Sequence, residues 1–68
     1  MSRNELLRRL AAYAKARDVA YRWDAAKGKG SHGRAYVGER FTTVPKGEIR
    51  KGTLAAILKQ LEIDPGDL

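Results

Sequence analysis

Apolar residues near the start of the chain recur at the spacing of one face of a helix, with Arg and Lys on the other face. The apolar positions are Leu6, Leu7, Leu10, Ala11 and Ala14. Ser2 and Glu5 have the spacing of a capping box, in which the serine hydroxyl accepts from the backbone N–H three residues later and the glutamate reaches back. The pattern predicts a helix that starts at Ser2 and runs to about residue 16.

The pattern then changes from helical spacing to alternation, which is typical of half-buried strands. Over residues 19–24 the apolar positions are Val19, Tyr21 and Trp23. Residues 34–37 resume strand character, residues 38–39 predict a tight hairpin turn, and residues 40–44 predict a third strand that ends at Pro45.

The last third of the chain returns to helical spacing after a basic loop over residues 45–52. Apolar residues repeat there at i, i+3, i+4 and i+7, at Leu54, Ile57, Leu58 and Leu61. This spacing predicts a second helix from Thr53 to about Glu62. Asp64 before Pro65 predicts one short terminal turn.

These elements predict a single α+β domain over residues 1–68, with the order α-β-β-β-α. Each helix has one apolar face, so both are expected side by side on one face of a three-stranded antiparallel sheet. The opposite face of the sheet is then exposed. Double-stranded-RNA-binding domains share this layout, although a fold alone does not decide a function.

Composition narrows the possible chemistry. The chain has no cysteine and one histidine, which excludes disulfides, cysteine nucleophiles and the usual zinc sites. Its acidic residues do not cluster, so we expect neither a metal site nor a cofactor. No apolar stretch is long enough for a membrane span, so we expect a cytoplasmic protein with no membrane partner. The formal net charge of +6 favours a polyanionic partner.

His32 is the candidate catalytic residue. Imidazole gives and takes a proton near neutral pH, and RNA cleavage needs a proton moved together with positive charge near the phosphate. The predicted RNA-binding residues around His32 are Lys27, Lys29, Ser31, Arg34 and Lys46. An incidental surface histidine is the competing interpretation.

The glycines and the aromatic residues each leave two interpretations open. Gly28, Gly30 and Gly33 either supply positive φ for a turn or let a phosphate approach backbone N–H groups. Stacking platforms for unpaired bases and core positions are the two interpretations of the aromatic residues Tyr21, Trp23, Tyr36 and Phe41. Among the aromatic residues, Tyr36 is the one predicted to be exposed.

Three segments together are similar to one known family. They are Gly30, Ser31 and His32; Thr43, Val44 and Pro45; and residues 48–60, with Gly52, Thr53, Leu54, Ile57, Leu58, Lys59 and Gln60. In this order they resemble the HicA family of toxin mRNA interferases. The resemblance covers nearly the whole chain and implies an endoribonuclease that acts on single-stranded mRNA, and the scattered acidic residues predict that it needs no metal ion. It also implies that the family's essential histidine falls on His32 and that a HicB-like antitoxin neutralises the protein.

Two alternatives come from other functional classes. The first is a non-catalytic RNA- or DNA-binding module in which His32 is only a contact. The second is a protein-interaction domain whose charge serves an acidic partner. Cleavage of RNA in the presence of EDTA would separate the enzyme from both, and a flat salt dependence of binding would favour the protein-interaction domain.

Overall fold

The computed structural model describes residues 1–26 and 32–68. Within these residues the elements are α1 (Arg3–Ala16), β1 (Tyr21–Asp24), β2 (Gly33–Val37), β3 (Arg40–Val44), α2 (Lys51–Gln60) and a terminal 3-10 turn (Pro65–Asp67). The predicted order α-β-β-β-α and the α+β class are therefore confirmed.

The three strands form an antiparallel sheet in the order β1-β2-β3. The turn between β2 and β3 has the two residues that the sequence predicts, and Gly38 there has a φ of 61°, a conformation that glycine adopts at little cost. Across the hairpin, Tyr36 pairs with Phe41 and Gly33 pairs with Val44. The start of β2 therefore lies beside the end of β3.

One face of the sheet is buried under the helices and the other is open. On the inner face, Ala35 and Val44 are fully buried and Val37 is nearly so. The helical residues packed in the same core are Leu6, Leu10 and Ala14 of α1, and Ile57 and Leu58 of α2. Each buried leucine contributes about 1.5–3 kcal/mol, so this inner layer holds the fold together. The predicted arrangement of both helices on one face is confirmed.

The capping box at the start of α1 forms in one of its two halves. The Ser2 hydroxyl accepts from the Glu5 backbone N–H at 3.1 Å, as predicted. The Glu5 carboxylate accepts instead from Arg8 at 2.5 Å and Arg9 at 2.8 Å. Hydrogen bonds from these guanidinium groups, Arg8 before Arg9, lower the pKa of Glu5 to about 2.

The predicted start of the first strand at residue 19 is wrong. β1 begins at Tyr21, because the preceding residues terminate α1. The Val19 backbone N–H donates to the Ala14 carbonyl at 2.9 Å, and Asp18 has a φ of 58°. A left-handed residue followed by such a bond is a common way to end a helix, and it leaves Val19 exposed.

The second helix begins earlier than its sequence pattern indicates. α2 starts at Lys51 rather than Thr53, and it ends at Gln60. Arg50 occupies the cap position in an extended conformation and its side chain makes no capping bond, so a cap signal is absent from the sequence at this point. The terminal turn forms as predicted, with Asp64 accepting from the Gly66 N–H at 2.8 Å.

The loop between β3 and α2 is tied to the start of α1. The Arg3 N–H donates to the Gly47 carbonyl at 2.8 Å, and the Ile49 N–H donates to the Met1 carbonyl at 2.7 Å. Ser2 and Glu48 form an isolated β-bridge between these two bonds. The loop is therefore positioned by backbone contacts. Across the described part of the chain, no helix is both long enough and apolar enough to span a membrane.

Candidate nucleic-acid interface

His32 is exposed and lies immediately before β2. Gly33, the first residue of β2, pairs with Val44, the last residue of β3. His32 and residues 45–46 therefore adjoin the same end of the sheet. Lys46 is exposed there, and Arg34 is the second residue of β2. Three of the residues predicted from the sequence, namely His32, Arg34 and Lys46, are thus associated with one end of the sheet.

The other predicted residues cannot be placed. Lys27, Lys29 and Ser31 lie outside the described residues, and so do Gly28 and Gly30. The part of the site that the structure describes therefore consists of His32, the adjoining three-stranded sheet and the loop after β3.

Gly33 has a packing role that neither of its two sequence interpretations anticipated. It is a buried strand residue, and the six-membered ring of Trp23 occupies the space that a Cβ atom at position 33 would need. The absent side chain makes room for the indole, and Gly33 lies in a strand and not in a turn. The guanidinium carbon of Arg3 lies 5.2 Å from the centre of the Trp23 ring. The residue next to His32 is therefore fixed by a cation–π stack that extends back to α1.

Lys46 borders a second feature at the start of α1. A cavity of about 210 Å³ is lined by Ser2, Arg3, Asn4, Lys46 and Gly47. Arg3 and Lys46 thus belong to one surface, although 43 residues separate them in the sequence, because the Arg3 N–H donates to the Gly47 carbonyl. The sequence analysis did not identify Arg3, whose position here depends on this long-range bond.

The open face of the sheet carries two arginine–aromatic pairs. The guanidinium carbon of Arg22 lies 4.1 Å from the centre of the Tyr36 ring, and that of Arg34 lies 4.5 Å from the centre of the Phe41 ring. The two rings are neighbours across the β2–β3 pairing, with centroids 5.7 Å apart and planes tilted by 42°. The four side chains, which we call the open-face cluster, are Arg22, Arg34, Tyr36 and Phe41.

The aromatic residues divide between the two faces of the sheet. Tyr21 and Trp23 are half-buried and pair with Val37 and Ala35 of the inner face. Burial raises the pKa of the Tyr21 phenol. Tyr36 lies on the open face and is half-buried, so the structure confirms its placement on that face, although it is not fully exposed.

Phe41 is the most exposed aromatic residue, although the sequence analysis selected Tyr36 among the possible stacking residues. It is 51% exposed, which is unusual for phenylalanine in a folded domain. A signal was present, because counting back from the apolar Val44 with period two places residue 41 on the outer face. The two-residue turn also sets Phe41 opposite Tyr36.

Electrostatics on the open face favour a negative ligand. Asp24 is the acidic residue of the β1–β2 pairing, and its two carboxylate oxygens are already used locally. One accepts from the Ala26 N–H at 3.0 Å and the other pairs with Arg22 at 3.4 Å. Arg22 keeps 59% of its side chain exposed despite this ion pair. The Nε of Arg34 is buried and has no hydrogen-bond partner among residues 1–26 and 32–68, and the guanidinium lies over the Phe41 ring.

The arrangement provides a proton-transfer group beside positive charge. His32 is exposed, Arg34 follows it by two residues in β2, and Lys46 is the second residue after β3, whose end pairs with the start of β2. Over the described ranges, no group of three or more His, Cys, Asp or Glu residues is arranged to hold a metal ion.

Comparison with known proteins gives no relative from which a family could be assigned. No protein-family model matches the chain, and neither a curated protein nor a solved structure is significantly similar to it.

Proposed function

We propose that this chain is a HicA-like toxin, an endoribonuclease that cleaves single-stranded mRNA in the cytoplasm without a metal ion. In this proposal His32 is the catalytic residue, and a HicB-like antitoxin neutralises the protein by covering the site. The observation that supports it best is the exposed position of His32 at an end of the sheet where Arg34 and Lys46 are also found.

Cleavage removes a proton from the attacking oxygen as its bond to phosphorus forms, delivers a proton to the departing 5′-oxygen, and needs stabilisation of negative charge. One histidine performs one of the two proton transfers, and solvent water performs the other. The imidazole of His32 either takes the proton of the attacking oxygen or gives a proton to the departing 5′-oxygen as the P–O bond breaks. Negative charge on phosphorus rises during this step, and the nearby guanidinium and ammonium groups stabilise it. Lys27, Lys29 and Ser31 belong to the proposed binding residues because they are basic or polar and lie close to His32 in the sequence.

The proposal is tested by incubating purified protein with single-stranded RNA in the presence of EDTA. Wild type is expected to cleave, while His32→Ala and His32→Gln lose about 10²- to 10⁴-fold in rate and still bind RNA. His32 is exposed, so neither substitution should disturb the fold. Lys15→Ala is a suitable control, because Lys15 is an exposed cation in the last turn of α1, at the helix end opposite to Ser2.

Two results would contradict the proposal that the protein is a nuclease. RNA that stays intact at high wild-type concentration would do so, and so would equal cleavage by wild type and His32→Ala. Growth arrest on expression provides a second readout, in which wild type arrests growth and His32→Ala does not.

The proposed site predicts the charge of the antitoxin surface that would cover it. A protein that masks the His32 end of the sheet must face Arg34 and Lys46, so it should present acidic groups to them. Its binding should therefore weaken as salt is raised, and it should compete with RNA.

The second candidate is a non-catalytic module that binds RNA or DNA. The open-face cluster favours it, because an exposed Phe41 ring and neighbouring guanidinium groups can bind nucleic acid without any need for cleavage. Salt-sensitive RNA binding with no cleavage under any condition would select this candidate over the nuclease.

A further inference from the structure

We propose that the open-face cluster is a stacking platform for unpaired bases of the RNA strand that reaches His32. The inference rests on the proposed function in taking RNA as the ligand. It extends that function by assigning the face on which the RNA lies and by requiring a strand whose bases are free.

The first argument is the exposure of the Phe41 ring. Phe41 presents about half of its surface to solvent in the middle of a sheet face, with Tyr36 beside it. Exposed aromatic groups on a sheet are the usual platform on which unpaired bases stack, and every base has a face that can use them.

The second argument is the position of the arginines. Arg22 and Arg34 lie over the rings of Tyr36 and Phe41, so a planar cation adjoins each aromatic ring. A guanidinium plane also stacks on bases, and its N–H groups can bind phosphate oxygens. The cluster therefore combines the two contacts that a single strand offers, which are base faces and phosphates.

The third argument is continuity with the candidate catalytic residue. Arg34 and Tyr36 alternate with the buried residues of β2, and His32 continues the same alternation by two positions. A strand of RNA stacked on the cluster is thereby led toward His32. The same geometry disfavours a duplex, whose bases are stacked on each other and cannot reach the rings.

A protein partner is the less favoured occupant of this face. Arg22 and Arg34 outnumber Asp24, whose oxygens are already engaged, so the charge of the face suits a phosphate backbone.

The test measures binding of a short fluorescein-labelled single-stranded RNA to the His32→Ala protein by fluorescence anisotropy. In that background, Phe41→Ala is expected to weaken binding about fivefold to a hundredfold. Phe41→Leu should lose nearly as much, because leucine keeps the apolar contact but has no π face. Val19→Ala is the control, since Val19 is another exposed hydrophobic residue, 40% exposed, and lies outside the sheet.

Further arms separate the possible results. A hairpin duplex of the same length and an oligomer of abasic sites should both bind about tenfold more weakly than the single strand, and Phe41→Ala should not change their affinity. Equal affinity of the His32→Ala protein and the His32→Ala, Phe41→Ala double variant for the single strand would overturn the inference. So would full binding by Phe41→Leu, which indicates an apolar contact of the kind that a protein partner makes.

Failure of the inference is distinguishable from failure of the nuclease. If the protein cleaves RNA and Phe41→Ala leaves RNA binding unchanged, the proposed function stands and the stacking platform is contradicted. If the protein never cleaves RNA but Phe41→Ala weakens RNA binding, the stacking platform stands and the nuclease is contradicted. Thermal unfolding followed by circular dichroism confirms that each variant is folded.

Discussion

The six-membered ring of Trp23 lies against the α-carbon of Gly33, in the space where any other residue would place its Cβ. Gly33 is in an extended strand, so the requirement for glycine comes from packing and not from its backbone angles. Because His32 immediately precedes Gly33, the indole that fills this space also restrains the strand beside the candidate site.

We therefore predict that Gly33→Ala destabilises the protein by about 1–3 kcal/mol, the usual cost of overpacking. The added methyl group must displace the Trp23 ring. Urea unfolding followed by circular dichroism measures the change in the free energy of unfolding.

Gly52→Ala is the matched control for this substitution. Gly52 lies in the first turn of α2 and no atom is near its hypothetical Cβ, so alanine there should stabilise by about 0.4–1 kcal/mol. Equal effects of alanine at positions 33 and 52 would show that Trp23 does not constrain Gly33.

A second prediction concerns the contact between β3 and α2. The buried Thr42 hydroxyl donates to the Gln60 side-chain oxygen. Thr42→Val keeps the shape of the side chain and removes this hydrogen bond, so it should cost about 0.5–1.5 kcal/mol in urea unfolding. Thr43→Val on the open face is exposed and should change stability by less than about 0.5 kcal/mol. A loss at position 43 as large as that at 42 would contradict the assignment of faces.

The third prediction concerns acid stability. The Arg8 and Arg9 guanidinium groups hold the pKa of Glu5 at about 2, below the value of about 4.3 for an unfolded glutamate. The unfolded chain therefore binds the proton first, and the stabilisation is present above pH ~4.3 and is lost as the pH falls toward 2. Urea unfolding across this window should show a smaller loss of stability in Glu5→Gln than in wild type. Identical pH profiles of the two proteins would contradict this prediction.

The fourth prediction concerns salt. Each cation that contacts a phosphate of single-stranded RNA contributes about −0.7 to the slope of log affinity against log salt. Arg34→Gln should make this slope less steep by about that amount in the fluorescence anisotropy assay. Arg40→Gln should leave the slope unchanged, because Arg40 pairs with Glu62 at 2.7 Å and lies next to the hairpin turn, away from His32. Equal slopes for wild type and Arg34→Gln would show that Arg34 makes no phosphate contact.

Local patterns were enough to predict the elements of this fold. The apolar spacing and Ser2 located α1, and the pair of residues at positions 38–39 located the hairpin, because each of these signals acts within a few residues. The start of α2 was predicted two residues late for the same reason. Arg50 makes no capping bond, so nothing local marks that end.

The candidate site was less predictable because it depends on pairings between distant residues. His32 could be selected by its chemistry alone, whereas the role of Gly33 depends on Trp23, which is brought to it by the β1–β2 register. The same register places Arg22 over Tyr36. Arg3 joins Lys46 only through the Gly47 carbonyl.

The paired backbone bonds between the start of α1 and the β3–α2 loop make these two segments a single cooperative unit. The Arg3 and Ile49 amides each donate to a carbonyl of the other segment, so neither segment can move away without breaking both bonds. Their amide hydrogens should consequently exchange with deuterium at matching rates. Lys46 immediately precedes Gly47, one of these anchors, so its reach toward a ligand depends on fraying of the first turn of α1, which is remote from it along the chain.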